Sequence, residues 1–368
     1  MDENYNVLLK DPTGSSVLAV LGRYRSLYLT VGVGIVGMLA MDFPYDTIPF
    51  NYLPPDGIVE VWRKFGGLAP YQVGEKVHFI RVVDAQLDSS GQKLQRIESR
   101  DSVDILNRRV IPYIDGTSQA QKSGPVDNMM KDFVSDNLGA GATDWLAGTG
   151  RATSLSVQTK LGLAPTATKA AGARNVLSTL QELALAAYQS GLYTVFDVVS
   201  LASANSLVLE LRTYVQQRGV DHRFSSTTAS PVLLSAESGN LANVEFLKDW
   251  TGVVNTAYAG HLGYYSDAAG VGIGPYGRSE AYVNPLQDSS QSGQTNEAAL
   301  YVRDQRIKRT WSARFVDTPG CQFGRDINFG DFVTAQFGLE VVDVRIDSFA
   351  ITHDSGEIRT DLILRSDG

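Results

Sequence analysis

Apolar and polar positions alternate through the first third of the chain. The run SVLAVLG, ending at Gly22, predicts a strand, and so does GIVEVWRKF, Gly57 to Phe65. Lys76 to Asp101 holds two alternating runs around Ser89–Gly91, which is a hairpin pattern. DSVDILNRRVIPY, Asp101 to Tyr113, predicts one short helical turn running into a strand that Pro112 ends.

The period then changes. Val126, Met129, Met130, Phe133 and Val134 recur at helical spacing. Residues 138–172 are rich in Gly, Ala and Thr and read as loop. RNVLSTLQELALAAYQSG predicts a second helix. Its stripe is Val176, Leu177, Leu180, Leu183, Ala184, Ala187 and Tyr188, with Gly191 as the stop. LYTVFDVV and SLVLELRTY predict paired strands around ASAN, Ala202 to Asn205. Ser230 to Trp250 predicts a strand, a turn at Gly239–Asn240 and a strand. Tyr258 to Asn296 is Gly-, Ser- and Tyr-rich and reads as a long loop. A helical start is expected in EAALYVRDQRIKRTWSARFV, and RDQRIKR, Arg303 to Arg309, reads as a polar strand face. The remainder is β, with turns at Gly330–Asp331, Gly338 and Ser355–Gly356. No sequence repeat is present.

One stretch needs a decision. GVGIVG, Gly32 to Gly37, matches the G-x-G-x-x-G of dinucleotide sites. Such a site needs a helix directly after the glycines, whose free N–H groups hold the pyrophosphate. Here MLAMDFP follows, and Pro44, Pro49, Pro54 and Pro55 leave no room for one. The apolar run Leu27–Met41 is also short of the about 20 residues that a membrane-spanning helix needs. Strand, glycine turn, strand is the reading that remains.

Composition narrows the class. The chain has 368 residues, 43% hydrophobic and 20% charged, which is globular. Its net charge of −8 disfavours a dedicated nucleic-acid binder. Cys321 is the single cysteine, so no internal disulfide or cysteine zinc site can form. The acidic, polar start MDENYNVLLKDPTG lacks the pattern of a signal peptide.

Candidate chemistry is sparse. His78, His222, His261 and His353 have no zincin spacing. His78 and His353 read as satisfied strand residues, His222 as a partner within Asp221–Arg223, and His261 as a loop residue. Cys321 lacks a nucleophile signature, G-x-S-x-G and Walker A motifs are absent, and DINFGD, Asp326 to Asp331, is too poor in ligands for calcium. Trp62, Trp145 and Trp311 suit subunit contacts or, by default, core packing. No catalytic, cofactor-binding or metal residue is assigned, and no cofactor is expected.

The order of the pieces resembles a family. RYRSLYLTV…GMLAMDFP, DGIVEVWR, DSVDILNRRVIPY, GPVDNMMKDFVSDN, LELRTYVQQRGVDHR, PVLLSAESGNLANVEFLKD and FGRDINFGDFVTAQF together resemble the tail-tip hub proteins of long-tailed bacteriophages (siphophages), also called tail-associated minor tail proteins. The match runs from about residue 15 to 365. The chain departs from the family at GVGIVG and in an expanded 138–172 segment.

The resemblance implies a mixed, β-dominated fold. Two tail-tube-like β-barrel domains, 1–113 and 201–368, would flank an α-rich insert, 114–200. A second, loop-rich insertion would lie at about 258–296. It implies a structural virion protein at the tail tip, assembled in the host cytoplasm, and not an enzyme. Copies, most simply three, would form a ring that caps the tail tube. The ring would meet the adjacent distal ring protein and the tail-tip fibre or spike, and pass DNA without sequence-specific binding. No membrane-spanning segment is expected. Two alternatives stay open: a tail-tip cell-wall hydrolase, and a receptor-binding module whose Tyr-rich loop contacts a glycan.

Overall fold

The computed structural model describes residues 3–65, 69–143, 150, 151, 153, 155–201, 207–226, 230–267, 278–284, 291–305, 308–354 and 356–366. Its first third is β1 (Glu3–Lys10), β2 (Val17–Leu21), β3 (Ser26–Gly32), β4 (Met38–Pro44), β5 (Ile58–Phe65), β6 (Tyr71–Gln72), β7 (His78–Leu87) and β8 (Lys93–Asp101). GVGIVG is the turn of the antiparallel β3–β4 hairpin, as the patterning predicts. β7 and β8 form the second hairpin. Its turn is closed by Asp88, whose carboxylate accepts from the N–H groups of Ser90 and Gln92, both at 2.9 Å.

The helical turn is α1 (Asp104–Asn107). The strand expected after it does not form. Val110 makes one isolated bridge to Asn175, and Ile111 donates to the carbonyl of Arg174. Pro112 then removes the next donor.

The middle of the chain is β9 (Gln121–Pro125), α2 (Val126–Leu138), β10 (Leu155–Val157), β11 (Thr166–Ala170), α3 (Val176–Gln189), β12 (Thr194–Leu201) and β13 (Val208–Val215). β12 and β13 pair antiparallel as expected; ASAN lies outside the described residues. The 138–172 segment is not all loop. β10 adds parallel to β13, and β11 pairs with β9. Both are short, three and five residues, and β11 holds no large apolar side chain, so their partners do most to select the extended form. α2 and α3 bury their predicted stripes in a second core with Phe196, Val198 and Leu211. Tyr188 is the exception and is exposed. α3 ends as a Schellman cap: Leu192 N–H donates to Ala187 and Gly191 N–H to Tyr188, with Gly191 at φ 88°.

The last part is β14 (Asp221–His222), β15 (Leu233–Ser235), β16 (Leu241–Asp249), β17 (Thr256–Ala259), β18 (Gly263–Ser266), β19 (Glu280–Val283), α4 (Gln291–Asp304), β20 (Lys308–Phe315), β21 (Phe332–Phe337), β22 (Glu340–Asp354) and β23 (Glu357–Arg365). The long loop read over Tyr258–Asn296 is corrected in part. β17 pairs with β18 and β19, and α4 packs behind them on a core of Ala257, Ala259, Ala298 and Val302. A core of small side chains leaves little hydrophobic signal. Residues 268–277 and 285–290 lie outside the described residues. RDQRIKR is not one strand face: it begins in α4 and ends in β20.

The two ends of the chain share one sheet and one core. The strand path is β16-β20-β23-β22-β3-β4-β8-β7-β5-β1-β2. Its joint is β22 with β3, where Ser348 to Asp354 pairs with Gly32 to Ser26. Leu29, Leu39, Phe43 and Val61 thus pack in one cluster with Trp311, Phe349, Ile351 and Leu364. β21 turns off this path and pairs with β22, β14 and β15. Among the described residues no ladder closes into a complete barrel. Between β15 and β16 the amide of Asn240 takes the place of backbone pairing. It donates to Leu233 O at 2.8 Å and accepts from Ser235 N–H at 2.9 Å.

Candidate functional site

The fold gathers four charged residues that carry no sequence motif. Lys76 precedes β7, Asp101 ends β8, Asp197 lies in β12 and Arg218 follows β13. Lys76, Asp101 and Asp197 are fully buried. Lys76 Nζ donates to Asp101 Oδ2 at 3.0 Å, to Asp197 Oδ1 at 2.8 Å and to Gly32 O at 2.8 Å. An ammonium has three donors, so it is saturated. Arg218 Nε donates to Asp197 Oδ2 at 3.1 Å, and its guanidinium lies 3.7 Å from the centre of the Phe329 ring. Asp101 Oδ1 accepts from Val103 N–H at 3.1 Å.

Two cations and two anions cancel, which is the condition for burying charge. Burial favours loss of the Lys76 proton, but the two carboxylates outweigh it and hold Lys76 above its usual value. Burial raises the Asp101 carboxyl, with Lys76 opposing. The cluster is sealed from water and fully partnered, so it works as a clasp. It fixes the β3–β4 turn, the β7–β8 hairpin and the α-rich middle at one point. A second bond does the same nearby: Gln181 of α3 donates to Gly34 O at 3.1 Å. The GVGIVG turn is therefore a docking point between sheet and helices. Another buried cation, Arg63 of β5, pairs with Asp317 and donates to Phe323 O at 2.9 Å, tying the loop before β21 to the first third.

The residues singled out in the sequence do not converge. His78 is buried, and burial, aided by the Lys76 charge, lowers its pKa to about 3. Neither ring nitrogen makes a well-formed hydrogen bond, with only the Val59 backbone favouring the proton, so the expectation of a satisfied histidine fails here. His353 is satisfied, with Nδ1 3.0 Å from the Tyr24 hydroxyl. His222 Nδ1 lies 2.8 Å from Ser230 O, while Asp221 pairs with Arg223 at 2.7 Å. His261 is an exposed turn residue. The Cys321 thiol is buried and pushed up to about 11, far from a thiolate nucleophile. Asp326 and Asp331 bind local backbone: Asp326 accepts from Gln322 N–H at 3.0 Å, Asp331 from Val220 and Asn328 N–H, both at 2.6 Å. Among the described residues no cluster of His, Cys, Asp or Glu could hold a metal ion. Nor is any helix among them long and apolar enough to cross a membrane. Trp311 is core, Trp62 is half-buried with Nε1 on Glu60 at 3.0 Å, and Trp145 lies outside the described residues.

Exposed apolar groups are spread over the surface, and both ends of the sheet path carry some of them. On terminal strand β2, Val17, Leu18 and Val20 are 54%, 45% and 61% exposed. At the other end Leu247 and Trp250 are exposed, with Leu339 at the tip of the β21–β22 hairpin. The signal was legible: VLAVL is apolar on both faces, the pattern of a strand that something covers.

No protein-family model matches the chain, and no curated protein matches it in sequence. Solved structures do match in fold. The 43 kDa tail protein of prophage MuSo2 from Shewanella oneidensis aligns at a TM-score of 0.63 and 12% identity, over 100% of this chain and 99% of that one. The tail protein from Neisseria meningitidis MC58 aligns at 0.58 and 12% identity, over 100% and 98%. A chain of the half-lidded Francisella PdpA–VgrG complex aligns at 0.53 and 9% identity, over 100% of this chain and 58% of that one. At these identities the shared property is the fold.

Proposed function

We propose that the chain is a non-enzymatic structural subunit of a phage tail, acting as a tail-tip or baseplate hub. Its copies form a ring that caps the tail tube, leaves a lumen for DNA and joins the tube to the tip fibre or spike. The observation that carries this reading is the end-to-end likeness in fold to two tail proteins, one of them from a prophage, over essentially the whole of each chain.

Four further features support it. The β3–β22 ladder joins the first and last β segments of the chain; if each is one half of the subunit, three copies would present six halves to a sixfold tube. In this reading residues 1–113 and 201–368 supply the halves. Residues 114–200 and about 258–296 are the outward insertions. The sheet path ends in exposed apolar strands, which neighbouring copies would cover. The net charge of −8 suits a passage in which phosphate must not stick. Likeness to a chain of the PdpA–VgrG complex supports a protein partner on the spike side. The hydrolase alternative gains nothing from the buried acid pair, because Asp101 and Asp197 are both spent on Lys76.

The test is peptide mass spectrometry across a density gradient of intact particles, with copies counted against the major tube protein. Three copies per particle support the trimeric hub. Six would assign the chain to an adjacent ring, and absence from particles would end the structural reading.

A further inference from the structure

The Tyr-rich stretch finds its place on a sheet face. β17 lies between β18 and β19, and the register sets Tyr264, Tyr258 and Tyr282 side by side across the three strands. Beside this row the register sets Ser266, Thr256 and Glu280; Thr256 is fully buried, Ser266 half-buried and Glu280 exposed. Alternation sends Ala257, Ala259 and Gly263 to the opposite face, which α4 covers. All three tyrosines are exposed, Tyr282 by 61%. The Tyr258 and Tyr264 ring centroids are 5.4 Å apart and the planes differ by 46°. The Tyr258 hydroxyl donates to Glu280 Oε1 at 3.3 Å, and Arg278 lies 3.8 Å from the same carboxylate.

An exposed aromatic row is unusual on a soluble surface and marks a contact face. Tyrosine offers rigid, amphipathic area with little side-chain entropy to lose. The surroundings select the occupant. Aromatic rows also stack nucleic-acid bases, but that mode needs cations for the phosphates. Arg278 is neutralised by Glu280, and the chain is acidic overall. A protein hot spot would bring a wider apolar surround, whereas the reachable neighbours in the next row are the Glu280 carboxylate and the Ser266 hydroxyl. A sugar ring suits this face: its C–H face lies on a phenol ring, and its hydroxyls reach Glu280 and Ser266.

We propose that this face binds a neutral oligosaccharide, with successive pyranose rings over Tyr264, Tyr258 and Tyr282 and hydroxyls held by Glu280. The proposal does not rest on the hub reading: absence from particles would leave it standing, and failure to bind sugar would leave the hub standing.

The experiment is calorimetric titration of the full chain with cellohexaose, chitohexaose and maltohexaose, and with a ten-residue oligothymidylate as the anionic comparison. At least one hexasaccharide is expected to bind with Kd below about 1 mM. Tyr258→Ala and Tyr282→Ala should each weaken it by about three- to tenfold. Leu262→Ala, in the β17–β18 turn, should leave it unchanged. Tyr282 is exposed enough that its variant should keep the parent's thermal midpoint, which guards against misfolding at Tyr258. The proposal is overturned if no hexasaccharide binds, if folded Tyr282→Ala binds as the parent does, or if the oligothymidylate binds more tightly than every sugar.

Discussion

Gly32, Gly34 and Gly37 each answer a different local demand. Gly34 sits at φ 64°, in the left-handed region the turn requires. A Cβ on Gly32 would stand 2.5 Å from Ile35 Cδ1. On Gly37 it would stand 2.3 Å from Thr30 O and 2.8 Å from Asp101 Oδ2. The last two atoms cannot yield: one is a strand carbonyl, the other half of the Lys76 clasp. Gly37→Ala should therefore lower stability by about 1–3 kcal/mol, read as a fall in the urea midpoint; an unchanged midpoint would show that the hairpin opens freely. His78 gives a pH signature. Its folded pKa of about 3 lies below the ordinary 6.5. As pH falls between those values the unfolded chain takes up a proton that the folded chain refuses. His78 thus costs the fold up to about 1.4 kcal/mol per pH unit, and its contribution is fully present only above pH 6.5. His78→Leu should flatten the loss of stability between pH 6 and 4 relative to the parent. Parallel curves in urea titrations would refute this. The motif's failure as a dinucleotide site was legible, because the prolines after it are local. The clasp was not: residues 76, 101, 197 and 218 meet only through tertiary packing.

Elements were legible where they carry their own pattern. The β3–β4 and β7–β8 hairpins have turn residues in place, α2 and α3 have apolar periods, and α3 has its caps. Asn175 caps α3, accepting from Ser178 N–H at 3.2 Å. β10, β11 and the β17–β19 sheet were missed because they are only three to five residues long, too short to show a period without their partners. Asn240 is the element-scale case where one side chain replaces a ladder. Asn240→Ala removes its bonds to Leu233 and Ser235 and leaves buried backbone groups unpaired. It should cost about 1–3 kcal/mol. Amide exchange should quicken first at Ser235, whose N–H loses its acceptor. Asn240→Asp keeps that acceptor and should protect Ser235 while still losing the donor to Leu233. Equal exchange at Ser235 in both variants would show that the amide does not hold this edge.

At the scale of the molecule, the joint between β3 and β22 brings Ser26 against Asp354, a pairing no local pattern announces. What the sequence did carry was the order of β, α and β segments, and through it the resemblance. That joint makes one sheet with two distant ends, and an open sheet needs its edges managed. Protein edges are commonly blunted with charge or proline, yet β2 presents Val17, Leu18 and Val20 to solvent. β2 pairs with β1 alone among the described strands, and no described strand pairs with its other edge. A head-to-tail contact from such an edge to a different surface on the next copy closes a ring when the rotation per copy divides a full turn. Leu18 and Val20 share one face of β2, so two lysines there would put charge into that contact. Both sites are solvated in the single chain, so folding should be unaffected. Leu18→Lys combined with Val20→Lys should therefore sediment as a monomer while keeping the parent's unfolding midpoint, under conditions in which the parent sediments as a ring. A double variant that still forms rings would move the contact to the opposite end of the sheet, where Leu247, Trp250 and Leu339 are exposed.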